Sequence, residues 1–238
     1  PDGVPTVGGY ADKMVVHEHF GIKVPEGTPL DKAAPLLCAG ITMYDPLKYF
    51  DVKKGTSVAI VGCGGLGMMG IKLAKAMGAT VSAISTSPQK EADAKSMGAS
   101  SFLLSTDTEA MSKAANSFDL ILDTVSAGHE VMPYIGALKT NGKHVLIGLT
   151  GKPFSISAAP FIFGRRTLTG SAMGGIERTQ EMMDFCVKHN IYPNVQIISA
   201  SDIPGALATL EGKSDQLLRY VIDCSTFKAL TTAHPRDD

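Results

Sequence analysis

The run Gly62-Cys63-Gly64-Gly65-Leu66-Gly67 follows a short apolar segment, Ser57-Val58-Ala59-Ile60-Val61. It opens a stretch, 65–77, in which Met69, Leu73 and Met77 recur every four residues. A strand feeding a G-x-G-x-x-G turn feeding a helix is the context that gives this motif meaning; alone it is weak. Each spaced glycine has its own task. Gly62 permits the tight turn, Gly64 lets backbone approach a pyrophosphate, and Gly67 lets the helix pack closely on the strand. Gly65 and Leu66 then stand at the helix head, where unpaired N–H groups and the positive dipole end suit phosphates. The alternative is a glycine-rich turn with no ligand.

The alternation runs on. Strands are predicted at 57–61, 80–84, 101–104, 118–123, 143–148 and 167–171, with helices at 65–77, 88–97, 106–115 and 130–138 between them. Strands alternating with helices predict an α/β fold, a doubly wound parallel sheet of the Rossmann type. The flanks differ. Residues 1–37 are rich in Gly and Pro, with an alternating strand at 11–16, and 26–35 reads as a crossing between domains. Residues 178–238 predict a helix at 178–189, a strand at 195–198, a helix at 203–210 and a strand at 219–223, with a polar, mobile tail after Phe227. Residues 31–177 form the predicted dinucleotide-binding domain, and 1–30 with 178–238 belong to a second domain.

The second strand ends in Ser85-Thr86-Ser87, where an NAD site commonly carries Asp or Glu for the ribose 2′-hydroxyl. No carboxylate occurs between Gly67 and Glu91. The hydroxyls and Lys90 suit a 2′-phosphate, which favours NADP over NAD. Ser87 also fits as a helix cap before Pro88. Later strand ends should line the same crevice. They nominate Thr124, Val125 and Ser126, then Gly148, Leu149 and Thr150, then Ser171, Ala172 and Met173, with plain connecting loops as the alternative.

Net charge is −1, so the totals suggest no nucleic-acid or membrane partner. No run of about 18 apolar residues occurs, and no leader pattern suggests secretion, which places the chain in the cytoplasm. The cysteines, Cys38, Cys63, Cys186 and Cys224, form no C-x-x-C pair, so no zinc-ribbon cluster is expected and free thiols are. Cys63 reads as a small loop residue, Cys186 as core, and Cys38 from its surroundings alone as a buried cysteine. His17-Glu18-His19 places two histidines on one strand face without a local third ligand. Arg165-Arg166 reads as a solvated turn.

Gly8-Gly9-Tyr10-Ala11, Val24-Pro25-Glu26-Gly27, the segment from Ala33 to Thr42, the glycine loop, Ser85-Thr86-Ser87, Asp123-Thr124-Val125 and Gly170-Ser171 occur in that order. Together they resemble the zinc-dependent medium-chain alcohol dehydrogenases, and most closely the cinnamyl alcohol dehydrogenase branch, over nearly the whole chain. The resemblance implies that the flanks are the remnant of a GroES-like, β-rich catalytic domain. It implies hydride transfer between NADP and a small alcohol or aldehyde, with zinc as Lewis acid. It makes Cys38 a zinc ligand, puts Thr42 near the nicotinamide, and pairs two copies through the last Rossmann strand. It also implies about a hundred further N-terminal residues, carrying the catalytic residues and the other zinc ligands, so the catalytic residues of this sequence stay unassigned and the chain reads as a fragment or truncated homologue. Two other readings stay open: a zinc-free reductase like the quinone oxidoreductases, and a non-catalytic NADP-binding module.

Overall fold

A computed structural model describes residues 13–211 and 218–227. After a 3-10 turn at Glu18–Phe20, the chain forms α1 (Leu30–Pro35), a π-helical turn at Leu36–Gly40 and α2 (Ile41–Tyr49). Alternating elements follow: β1 (Ser57–Val61), α3 (Gly65–Ala76), β2 (Thr80–Ser85), α4 (Glu91–Ser96), β3 (Ser101–Leu104), α5 (Thr108–Lys113), β4 (Phe118–Asp123), α6 (Met132–Ala137), β5 (Leu138–Leu146), α7 (Ala159–Gly164) and β6 (Thr167–Gly170). Then come α8 (Ile176–Lys188), β7 (Val195–Ile198), α9 (Ile203–Glu211) and β8 (Arg219–Ile222).

The first six strands form one parallel sheet in the order β3-β2-β1-β4-β5-β6, the doubly wound order of dinucleotide-binding folds. Strands β1 and β4 are buried almost throughout because helices cover both faces of the sheet, which explains their unbroken apolar runs. One core lies between the sheet and α2, α3 and α8; the other joins β1 and β4 to α5 and α6. Strand order reverses between β1 and β4, so their carboxyl ends open the crevice where such sheets take ligands. Strands β7 and β8 pair parallel in a separate small sheet.

Some elements differ from the sequence expectation. The predicted strand at 11–16 does not form in its described part: residues 13–16 are irregular and exposed, and 11 and 12 lie outside the described residues. Among the described residues no strand lies beside this alternation to pair with it. Helices occupy 30–35 and 41–49, where Pro35, Gly40 and Pro46 disguise them. Gly40 packs closely under α8, where a Cβ would lie 2.7 Å from Met182 Sδ and that side chain would have to shift. Strand β5 begins five residues before the predicted 143, at Leu138, because Leu138 pairs with Phe118 and the turn-like Lys-Thr-Asn-Gly stretch is bulged out before Lys143 pairs with Leu120. The tail after Phe227 lies outside the described residues.

Helix α8 inserts Met182, Met183 and Cys186 into the core beneath the sheet, with Cys186 Sγ 3.6 Å from Met182 Sδ. Burial pushes the Cys186 thiol up to about 12, as befits a packing residue. Met182→Ala is therefore expected to lower the stability of the sheet itself by about 2–4 kcal/mol. Urea unfolding followed by circular dichroism checks this, and an unchanged midpoint would contradict it.

Candidate functional site

The phosphate loop is shaped by what glycine lacks. Gly62 has φ +91°, a left-handed conformation that disfavours any side chain. A Cβ on Gly67 would lie 1.8 Å from the Gly62 carbonyl oxygen, so α3 can start where it does only with glycine at that position. At Gly64 and Gly65 the picture inverts. A Cβ on Gly64 would meet nothing within 4 Å, and one on Gly65 would meet only Arg219 and Leu218. The backbone there faces open space, as a surface that receives phosphate must.

The loop after β4 closes the turn from the other side. Thr124 Oγ1 donates to the Val61 carbonyl at 2.8 Å, and the Thr124 N–H donates to the same oxygen at 2.9 Å. Cys63 is buried, its thiol 3.9 Å from the Ile84 carbonyl. Burial drives its pKa up to about 11, against smaller opposing effects of the Lys90 charge and a Ser85 hydrogen bond. The thiol is therefore no nucleophile. The same interactions place Lys90 and Ser85 beside the loop.

A cleft of about 690 Å³ opens over Gly62, Gly64, Gly65, Leu66, Thr124 and Ser126. Its far wall is α9 and β8, with Ile203, Leu207, Leu210, Arg219 and Tyr220. Arg219 is the residue that sequence reasoning missed. It comes from the small sheet, yet its Nε would stand 3.4 Å from a Cβ on Gly65. That Nε is buried and has no hydrogen-bond partner among the described residues. A guanidinium held against a helix N-terminus is repelled by the dipole unless an anion joins them. No pattern around Arg219 signals this, because the contact joins elements from opposite ends of the fold.

The other nominated residues distribute around this centre. Ser85 is buried at the end of β2, Thr86 is exposed and Ser87 half-buried. Ser87 occupies the helix-capping position but makes no side-chain capping bond; its N–H donates to Ser85 Oγ at 3.2 Å. Val125 lies against Gly148, where a Cβ would sit 2.2 Å from the Val125 carbonyl oxygen, and Leu149 beyond it is exposed. The Ser171 N–H caps β5 through the Leu146 carbonyl at 3.0 Å. Ala172 and Met173 are exposed, and Ser171 lines a separate small hollow with Asp45 and Tyr49. Thr42 is half-buried on α2, and Cys38 is exposed on the π-helical turn. Neither of them lines the cleft.

Two competing sites find ordinary explanations. His17 is not on a strand: it precedes the 3-10 turn, and its Nδ1 accepts the His19 N–H at 3.1 Å. Arg165 adopts a left-handed turn, and Arg166 donates to Asn116 Oδ1 at 2.7 Å.

The sequence matches the family model described as zinc-binding dehydrogenase over residues 65–188. The 8-hydroxygeraniol dehydrogenase of Catharanthus roseus is 50% identical over 224 residues, covering 93% of this chain and 62% of that protein. A cinnamyl alcohol dehydrogenase structure from Sorghum bicolor superposes with a TM-score of 0.89 at 40% identity, covering 94% of this chain and 64% of that one. The CAD from Helicobacter pylori complexed with NADP(H) superposes at 0.84 and 41% identity, with the same coverage of 94% and 64%. This chain thus spans 62–64% of the length of these relatives.

Two outcomes follow from the loop and the strand end beside it. If the turn takes a dinucleotide phosphate, Gly67→Ala is expected to push α3 off the turn and weaken that binding on the order of a hundredfold; fluorescence titration with NADPH measures it. The second concerns Asp123, which is buried. Burial alone would raise its carboxyl, but the His144 hydrogen bond and charge, the Val125 N–H and the His129 charge outweigh it and hold the group below the ordinary carboxylate value. A depressed folded value means that Asp123 contributes stability above the ordinary value of about 3.9, lost as pH falls through the lower folded value. Urea midpoints measured down through this range should fall for the wild type and flatten for Asp123→Asn.

Proposed function

The chain belongs to the zinc-binding dehydrogenase family, and from that premise we propose that it binds NADP and serves in the interconversion of alcohols and aldehydes. What carries the proposal is the conjunction at the crevice: an open glycine backbone at the head of α3 with, beside it, the buried Arg219 Nε, which has no partner among the described residues. A pyrophosphate satisfies both at once.

The choice of NADP rests on the end of β2. Ser85, Thr86 and Ser87 occupy the position where a carboxylate would recognise an unmodified ribose, and Lys90 brings a cation to the loop. Hydroxyls and an ammonium group attract a 2′-phosphate, whereas a carboxylate there would repel it. When bound, the nicotinamide would supply the hydride that reduces the carbonyl carbon of an aldehyde, or accept one from the carbinol carbon of an alcohol. The loops at Thr124–Val125 and Gly148–Leu149 are proposed to orient the nicotinamide half, with Thr42, Ser171, Ala172 and Met173 on its outer side.

Zinc stands differently. Cys38 is the one family zinc ligand that this sequence matches, and no group of three or more His, Cys, Asp or Glu side chains assembles among the described residues. A catalytic zinc needs three protein ligands. The described residues do not fit the metal.

The domain assignment is retained as a proposal: residues 31–177 hold the cofactor, and the flanks belong with the catalytic part. Pairing of two copies is proposed through β6, an edge strand whose far side has no neighbour among the described residues. No helix among the described residues is long and apolar enough to cross a membrane. A cytoplasmic location is proposed on the four cysteines, all free thiols.

Parallel titrations with NADPH and NADH test the cofactor. NADPH is expected to bind about tenfold tighter or better, and Lys90→Ala to narrow that gap severalfold, in line with the loss of one charge-assisted contact. Equal affinity for the two would overturn the NADP assignment, and binding of neither would overturn the dinucleotide site.

A further inference from the structure

Asp123 closes β4 in register with Val61, the residue before Gly62. It is 1% exposed, and three donors converge on it. The Val125 N–H reaches Oδ1 at 3.0 Å. On Oδ2, His129 Nε2 approaches to 2.8 Å and His144 Nε2 to 3.1 Å. The two rings are not equivalent. His144 Nδ1 is buried with no hydrogen-bond partner among the described residues, so one hydrogen, on Nε2, serves that ring's contact. His129 Nδ1 lies 2.9 Å from the Ala127 carbonyl oxygen. Both nitrogens of His129 therefore face oxygen acceptors. With the carboxylate ionised neither acceptor has a hydrogen to give, and the two bonds form together only when both ring nitrogens carry one.

The place of this ring makes its hydrogens consequential. The loop after β4 and the loop after β5 interlock around it. A Cβ on Gly128 would lie 2.9 Å from Lys152 Cδ, and one on Gly148 would sit 2.2 Å from the Val125 carbonyl oxygen. Phe154, from the second loop, meets the His129 ring edge-on at 5.8 Å, and Tyr134 of α6 stands at 6.0 Å. The titratable groups around the ring are Asp123 from β4, His144 from β5, Tyr134 from α6, Lys152 from the loop after β5, and the adjoining, exposed Glu130. Burial keeps the Tyr134 hydroxyl protonated, with the Asp123 charge adding to that effect against a Ser105 hydrogen bond.

We infer, on the premise that the cleft takes NADP, that His129 is a positioning residue whose doubly protonated ring clasps Asp123 to the Ala127 carbonyl and so sets affinity for the anionic dinucleotide. It acts in two ways. It holds Thr124 and Val125 over the glycine turn, and it cancels a carboxylate charge that would otherwise oppose phosphates at that turn. Loss of either ring hydrogen breaks one of the two bonds, uncovers the carboxylate and lowers affinity.

The experiment is NADPH titration of wild type and His129→Gln across about pH 5 to 8, the span in which histidines change charge. Ionisation of the cofactor's own 2′-phosphate affects both proteins alike, so the difference between the profiles isolates the ring. Wild type is expected to bind on the order of tenfold tighter at the acid end, with the advantage shrinking through a one-proton transition as pH rises. Two proteins that both bind NADPH with superimposable profiles would overturn the inference. If the wild type binds no NADPH at any pH, the cofactor assignment fails instead, and histidine side-chain ¹⁵N spectra of the unliganded wild type still decide the clasp. At the acid end, imidazolium signals for both His129 nitrogens support it and a neutral-tautomer pair overturns it. The same spectra decide the matter if His129→Gln does not fold.

Discussion

The carboxyl edge of the sheet depends on one close approach, that of the first turn of α3 to the peptide of Gly62. The distance from the Gly62 oxygen to where a Gly67 side chain would begin is 1.8 Å, too short for any atom to intervene. Because the helix starts so near the strand, its free N–H groups face the crevice rather than the core. Because Gly62 takes φ +91°, the chain reverses within the turn, and its N–H still reaches the Ile84 carbonyl at 2.9 Å. Thr124 seals the other side, its hydroxyl near both the Val61 and Gly62 carbonyls, at 2.8 and 3.1 Å. The turn is thus clamped between helix and loop, with no freedom to collapse into the space a phosphate would occupy. Pre-organisation of this kind spares a ligand the entropy of ordering the loop.

How much of this the sequence shows depends on whether the cause is local. Strands β1, β3 and β4 appear at their predicted residues, because their signals lie in consecutive residues. The glycine loop is legible for the same reason: its geometry is specified within six residues. Features made by distant partners are not. Helix α2 carries Pro46 inside it and follows the π-helical turn that ends at Gly40, so breaker residues hide a segment whose apolar residues Ile41, Met43, Tyr44 and Leu47 are buried. Only the packing of Met182 shows why Gly40 belongs there. The alternation at 11–16 pointed the opposite way, an apparent strand whose described part, 13–16, has no strand to pair with among the described residues. Arg219 and His129 were both illegible. One is brought to the loop by a separate sheet, and the other sits in what reads as a plain connection.

These two residues share an electrostatic logic. A dinucleotide phosphate site must be positive where the phosphates lie, and under the proposed function Arg219 and the head of α3 meet that need. Yet β4 ends in a buried carboxylate one residue before Thr124, in register with the last residue of β1. Left alone, such a group in a poorly screened interior would cancel part of the positive field. Removing it would release the Val125 N–H and the loop it anchors, since Asp123 Oδ1 accepts that bond at 3.0 Å. The fold keeps the anchor and neutralises the charge from within, with two imidazoles on the other oxygen at 2.8 and 3.1 Å. Among the described residues only His129 of the two has an acceptor on its far side, so only it gains a second bond by carrying a full positive charge. The structural need for a rigid loop and the electrostatic need for a positive crevice therefore converge on the hydrogens of a single ring.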